Sequence, residues 1–164
     1  MDFTTLSADL ESQPITGYLP DGRYINIPLI SQITDNLYVG GCMSGVNLED
    51  SFSHIFSLYM WERYVFANGT QFHEVKMYDS RTDPVDIETV DSMSDNIVAA
   101  LNEGGNVLVH CQAGINRSNL LATRTLMKWK GLSAKDAIAL LREKRSPLVL
   151  ANRTFEDYLL SLDA

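Results

Sequence analysis

Apolar residues in this chain fall into short continuous runs and longer stripes at helical spacing. Val107-Leu108-Val109 is a run bounded by the turn-forming pair Gly104-Gly105, so 106–110 reads as a buried strand, with 54–59 and 72–78 as two more. Between 72–78 and 106–110, Ile87, Val90, Met93, Ile97 and Leu101 recur every three or four positions and predict an amphipathic helix with Asp86 or Asp83 near its start. A polar and apolar mixture after residue 118 predicts a helix through Lys130, ended by Gly131. Ser133-Ala134-Lys135-Asp136 resembles a capping box, and Ala134, Ala137, Ile138 and Leu141 form the apolar face of the helix it opens. A final helix from about Asn152 carries Phe155, Leu159 and Leu160.

Strands alternating with helices imply an α/β fold, with a central, mainly parallel sheet flanked by helices on both faces. No repeat or linker divides the 164 residues, so one domain is expected, and 45% hydrophobic residues suffice for a sizeable core. Residues 1–28 carry no usable pattern beyond a turn at Tyr18-Leu19-Pro20-Asp21-Gly22 and read as an N-terminal extension before a catalytic unit over 29–164.

Composition narrows the partners. The net charge of -8 repels nucleic acid and anionic membranes on average. No apolar run is long enough to span a bilayer, and the stretch starting Met1-Asp2-Phe3 has neither the basic nor the apolar region of a secretory signal. Two cysteines give no disulfide framework, and a catalytic thiol is easiest to keep reduced in the cytosol, so a cytoplasmic location is expected. His54 and His73 stand singly without a Cys/His/carboxylate cluster, and neither a metal nor another cofactor is expected.

The chemistry concentrates in His110-Cys111-Gln112-Ala113-Gly114-Ile115-Asn116-Arg117-Ser118. A strand leading through a tight loop into a helix aims several free N–H groups at one point, where the helix dipole adds positive potential, which suits a phosphate dianion. Gly114 lets the loop curl, and the fork of Arg117 matches two phosphate oxygens as a lysine cannot. The same field favours the ionised, nucleophilic form of a cysteine at the start of such a loop. A cysteine and an arginine six positions apart are weak evidence alone; the flanking His110, Gly114 and Ser118 between strand and helix give the pattern its weight.

At these residues the chain resembles the cysteine-dependent protein phosphatases, whose signature is His-Cys-x5-Arg-Ser/Thr, and is most similar to their small dual-specificity branch. The resemblance extends over about residues 29–162. Ile33 to Gly40 matches that family's opening strand, and Lys144-Arg145-Ser146 with Asn152 and Phe155 matches its last loop and helix. The stretch from Arg145 to Asn152 is slightly longer than usual and lacks a proline directly before Asn152.

Transfer of phosphate to a thiolate needs a proton for the leaving oxygen, so a carboxylic acid should approach from a separate loop. Asp79, ending the strand in Met77-Tyr78-Asp79-Ser80-Arg81, is the first candidate; Asp83, whose Asp-Pro dipeptide has a turn explanation, is the reserve. The resemblance implies attack by Cys111 and protonation by Asp79, with a hydrogen bond from Ser118 to the departing sulfur in the second step. Gln112, Ala113, Gly114, Ile115 and Asn116 would line the phosphate site with Arg117, and His110 would orient the loop. The loop interior lacks the extra Lys or Arg expected for inositol-lipid phosphates, so a phosphorylated protein is the expected substrate. Asn116 before the arginine also occurs in RNA 5′-triphosphatases of the same superfamily, an alternative enzyme. A silent phosphoprotein-binding module is a second alternative. Cys42 reads as a structural thiol, with a disulfide to Cys111 on oxidation as the other possibility.

Overall fold

The computed structural model describes residues 13–163; the features read at Met1-Asp2-Phe3 lie outside them. Strands β1 (Pro14–Tyr18) and β2 (Tyr24–Pro28) pair antiparallel from Pro14↔Pro28 to Tyr18↔Tyr24. The turn between them is the one read from sequence. Gly22 supplies its positive φ of 88°, and Asp21 accepts from the Arg23 N–H at 3.1 Å.

The main sheet contains β3 (Ile30–Gln32), β4 (Leu37–Gly40), β5 (His54–Ser57), β6 (Gln71–Glu74) and β7 (Val107–His110), in the order β3-β4-β7-β5-β6. Only the β3–β4 pair is antiparallel. β7 lies at the centre with all four residues buried, as its unbroken apolar run requires. Among the described residues, helices α1 (Ile87–Asn102), α2 (Arg117–Lys130), α3 (Ala134–Lys144) and α4 (Arg153–Ser161) complete the fold. The helix starts obey local chemistry: Asp86 accepts from Thr89, Ser133 from Asp136, and Asn152 from both Thr154 and Phe155. Gly131, at φ 68°, ends α2.

The α/β class and mainly parallel sheet agree with the sequence reading, but the layering differs from it. Leu37, Val39, Phe56, Val107 and Val109 face one core cluster, to which all four helices contribute. Tyr38, Ile55 and Leu108 face the other way, against Leu48, Phe52 and Tyr64 from irregular segments. Among the described residues, helices therefore cover one face and loops the other.

The expected strand from Ile33 to Gly40 is also shorter. Thr34 Oγ1 accepts from the Leu37 N–H at 3.2 Å and the Ile33 N–H donates to the Leu37 carbonyl at 2.8 Å, which folds Thr34-Asp35-Asn36 into a turn joining β3 to β4. β5 stops at Ser57, whose hydroxyl donates to the Tyr59 carbonyl and accepts from the Tyr59 N–H. Of the stretch read as a strand through Tyr78, only Val75 still pairs beyond β6, donating to Ser57 at 3.0 Å.

Candidate active site

The run from Cys111 to Asn116 curls between the C-terminal end of β7 and the first turn of α2, where the sheet-to-helix reading placed it. Its curvature depends on Gly114, at φ 73°. A Cβ there would lie 2.5 Å from the Gly40 carbonyl carbon and 2.4 Å from an Arg145 Nη, so both the backbone angle and the space demand glycine. No side chain caps α2. Among the described residues, the N–H groups of Gln112, Ala113, Ile115, Asn116 and Arg117 donate to no other group, so they remain free for an anion.

Cys111 is buried, 2% exposed, beneath these donors. Its Sγ lies 3.3 Å from Ser118 Oγ and accepts from the Gly114 N–H at 3.3 Å. Arg117 is almost as buried at 8%. One Nη donates to the Met77 carbonyl at 3.2 Å, and the guanidinium carbon stands 5.5 Å from the centre of the Tyr59 ring. Its Nε has no partner among the described residues. A buried unpaired donor beside the free loop amides is a position that phosphate oxygens can satisfy.

Asp79 reaches the same cleft from the loop after β6. Cys111, Gln112, Ala113, Ile115, Asn116, Arg117 and Asp79 line an opening of about 70 Å³. Asn116 Nδ2 donates to one Asp79 oxygen at 2.9 Å, and Asn152 Nδ2 donates to the other at 2.7 Å. Each carboxyl oxygen has a second lone-pair direction, so this tether leaves room for a proton. Asp83 instead borders a separate cavity with Lys76, Pro84 and Phe155.

His110 is not hydrogen-bonded to the sulfur. Its Nδ1 lies 3.2 Å from the Cys111 carbonyl oxygen, and its ring meets Tyr64 edge-on. Burial pushes the imidazole down to about 4, so it is neutral at neutral pH. Cys42 and Cys111 are both free thiols. Cys42 Sγ contacts the Glu62 carbonyl at 3.4 Å, and burial pushes this thiol up to about 12. His54 and His73 stack with ring centres 6.2 Å apart; no group of three or more His, Cys, Asp or Glu among the described residues is placed to hold a metal.

Several residues that shape the site carried no functional role in the sequence reading. Arg145 is buried at the end of α3 and donates to the Gly114 carbonyl at 2.7 Å, Ala113 at 3.1 Å, Val39 at 3.3 Å and Ser31 Oγ at 3.0 Å. It therefore turns loop carbonyls outward, away from the anion site. Burial holds its guanidinium down at about 10, with the Cys111 sulfur acting in the opposite direction. Asn119 Nδ2 donates to the Gly114 and Ile115 carbonyls from within α2. Leu150, at φ 60°, donates its N–H to the Ile115 carbonyl, and the Asn152 N–H donates to Asn116 Oδ1. The segment before α4, slightly long by the sequence comparison, is thus stitched to the loop.

The β1–β2 hairpin closes the other side. Leu19, Ile25 and Ile27 pack with Ile115, and Leu19 and Pro20 form part of the cleft wall. A β-period pattern in Tyr24–Pro28, with Ile25 and Ile27 inward, was the available signal.

The family model described as "Dual specificity phosphatase, catalytic domain" matches residues 37–163. The chain is 31% identical over 157 residues to human "Dual specificity protein phosphatase 9", covering 88% of this chain and 38% of that protein. It is 37% identical over 87 residues to "MAP kinase phosphatase with leucine-rich repeats protein 3" of Dictyostelium discoideum, covering 52% of this chain and 10% of that protein. It thus spans about a tenth of one relative and under two fifths of the other. The crystal structure of human DUSP28 superposes with a TM-score of 0.61 at 20% identity, covering 80% of this chain and 95% of that one, which speaks to the fold.

Proposed function

The chain belongs to the dual specificity phosphatase family, and from that premise we propose that it hydrolyses phosphotyrosine and phosphoserine or phosphothreonine monoesters of proteins through a cysteinyl-phosphate intermediate. The observation that carries the proposal is the convergence of the Cys111 sulfur, the free loop N–H groups and the unpaired Arg117 Nε beneath one cleft that Asp79 also borders.

A phosphoryl group seated in the loop accepts from the amides and from Arg117, which stabilise the charge on its equatorial oxygens during transfer. The Cys111 sulfur attacks phosphorus in line while Asp79 protonates the leaving oxygen; the S–P bond forms as the P–O bond breaks. In the second step Asp79 accepts a proton from water as the water attacks phosphorus, and the sulfur departs with a hydrogen bond from Ser118. His110 has no proton to transfer in this scheme; it supports the loop at the Cys111 carbonyl. A cleft bordered by the apolar side chains of Leu19, Pro20 and Ile115 suits a phosphorylated side chain on a peptide.

The RNA 5′-triphosphatase reading rested on Asn116. Here that side chain is engaged with Asp79 and with the Asn152 backbone, which gives it a structural role independent of RNA. Phosphate release from a phosphotyrosine peptide, a phosphothreonine peptide and a 5′-triphosphate RNA at equal concentration tests the proposal. Turnover of the peptides by the unmodified protein, lost in Cys111→Ser, is expected. Turnover of RNA alone would replace the proposal with the triphosphatase, and tight peptide binding without turnover would replace it with the silent module.

A further inference from the structure

The eight arginines of this acidic chain are unevenly employed. Arg23, Arg63, Arg124 and Arg142 form ion pairs with carboxylates, and Arg117 and Arg145 serve the phosphate loop. The remaining two, Arg81 and Arg153, are exposed, make no close ion pair among the described residues and border the same groove, where Arg81 acts on Asp21 only as a more distant charge. That groove, of about 470 Å³, is completed by Asp21, Arg23, Ala151 and Thr154. Three arginines against one aspartate leave it positive on a protein whose mean charge is strongly negative.

The groove adjoins the Cys111 cleft through shared segments. In the hairpin turn, Leu19 and Pro20 border the cleft while Asp21 and Arg23 border the groove. In the acid loop, Asp79 borders the cleft and Arg81 the groove. Asn152 holds Asp79, and the next residue, Arg153, faces the groove. The walls are tied together: Arg81 donates an Nη to the Ala151 carbonyl at 3.2 Å, and Thr154 Oγ1 donates to the Arg81 carbonyl at 2.6 Å.

Resting on the phosphatase reading, we propose that this groove is a specificity subsite for a second anionic group, a carboxylate or a phosphoryl, on the segment flanking the phosphorylated residue of a protein substrate. A guanidinium outside any close ion pair meets an incoming anion with charge-assisted hydrogen bonds and breaks no internal salt bridge. Arg153 begins α4, where the helix dipole adds to the same sign. The acidic surface elsewhere makes a nucleic acid a poor occupant, and an acidic peptide contacting only this rim avoids that surface.

The test measures binding of fluorescent phosphotyrosine peptides to the Cys111→Ser protein, so that it does not depend on turnover; phosphate release by the unmodified protein from a plain aryl phosphate separately checks the underlying reading. The flanking positions carry Glu, phosphoserine, Ala or Lys in otherwise identical peptides. The Glu peptide is expected to bind about tenfold more tightly than the Ala peptide, and the phosphoserine peptide at least as tightly as the Glu peptide. Arg153→Gln should reduce that preference, Arg81→Gln with Arg153→Gln should remove it, and Arg153→Glu should favour the Lys peptide, a reversal that damaged folding does not produce. Raising salt should shrink the preference for acidic flanks. Equal binding of all four peptides overturns the proposal, as does a preference that survives the double variant. A 5′-triphosphate oligonucleotide that binds more tightly than any peptide, and loses that binding in the same variants, overturns the peptide assignment.

Discussion

Between Cys111 and Ser118 only Gln112 and Ala113 retain appreciable exposure, whereas the segments around the mouth expose Asp21, Arg23, Asp79, Arg81 and Arg153. The interior of the loop is held from several directions at once: Arg145 and Asn119 take its carbonyls, Leu150 donates to Ile115, and Gly114 fits against Gly40. The mouth is held by bonds nearer the solvent: two asparagine amides on Asp79, Arg81 on the Ala151 carbonyl and Thr154 on the Arg81 carbonyl. In the proposed reaction, the groups that act on any phosphate monoester are in the buried part, and the groups that would distinguish one substrate from another are in the exposed part. Substitutions in the two regions should therefore fail differently.

The largest effect is expected inside. Arg145→Met leaves several buried carbonyls without their donor and should lower stability by about 3 kcal/mol, read from urea denaturation, together with a loss of turnover. Arg153→Gln, on the exposed rim, should remain within about 0.5 kcal/mol of the unmodified protein. Equal losses for the two would erase the distinction between interior and mouth.

Asp79→Asn keeps only one of the two oxygens that accept from Asn116 and Asn152, so it should fold with a loss of about 1 kcal/mol, and it should slow turnover of phenyl phosphate roughly 100-fold, with a smaller loss on a nitrophenyl ester, whose leaving group needs a proton less. If Asp83→Asn shows that leaving-group dependence instead, the acid has been assigned to the wrong loop.

A third contrast comes from pH. Burial lowers the His110 imidazole to about 4, below its ordinary value of 6.5, so between those values the unfolded chain binds more protons than the folded one. Stability from this group is complete above pH 6.5 and is lost as pH falls toward 4, on the order of 3 kcal/mol in all. His110→Gln should flatten the fall in urea midpoint across that window; an unchanged slope would show that other groups account for it.

The smallest effect belongs to the hairpin. Leu19→Ala trims one wall of the cleft and a contact with Ile115, and should cost about 2 kcal/mol of stability while raising KM for peptides more than it lowers kcat. A drop in kcat alone would mean that the hairpin acts on the loop geometry rather than on substrate contact.

What the sequence made legible follows the same division. The strand-loop-helix around Cys111 is contiguous, and its glycine, arginine and serine carry their chemistry at fixed spacing, so the loop and the helix following it could be read directly. Arg145 lies 31 residues beyond Gly114 and looks like a basic residue in the last turn of a helix; only folding shows it buried against loop carbonyls. The hairpin's place at the cleft depends on Ile25 and Ile27 finding Ile115, a contact that no local pattern encodes. The turn inside Ile33–Gly40 was visible in Thr34-Asp35-Asn36, a polar triplet of turn-forming residues, but it was absorbed into a strand by the apolar positions on either side. Among the described residues the helices lie on one side of the sheet, which was hidden because counting alternating elements does not reveal that the segments between β4 and β6 cover a sheet face without forming a helix.

The most direct test of the account is an acid quench of the protein during turnover of an aryl phosphate, followed by mass spectrometry of its peptides. One phosphoryl group is expected on the peptide containing Cys111, present in the unmodified protein and absent from Cys111→Ser. Turnover with the phosphoryl group on another residue, or with no phosphoryl-enzyme under conditions that trap a chemically authentic cysteinyl phosphate, would contradict it.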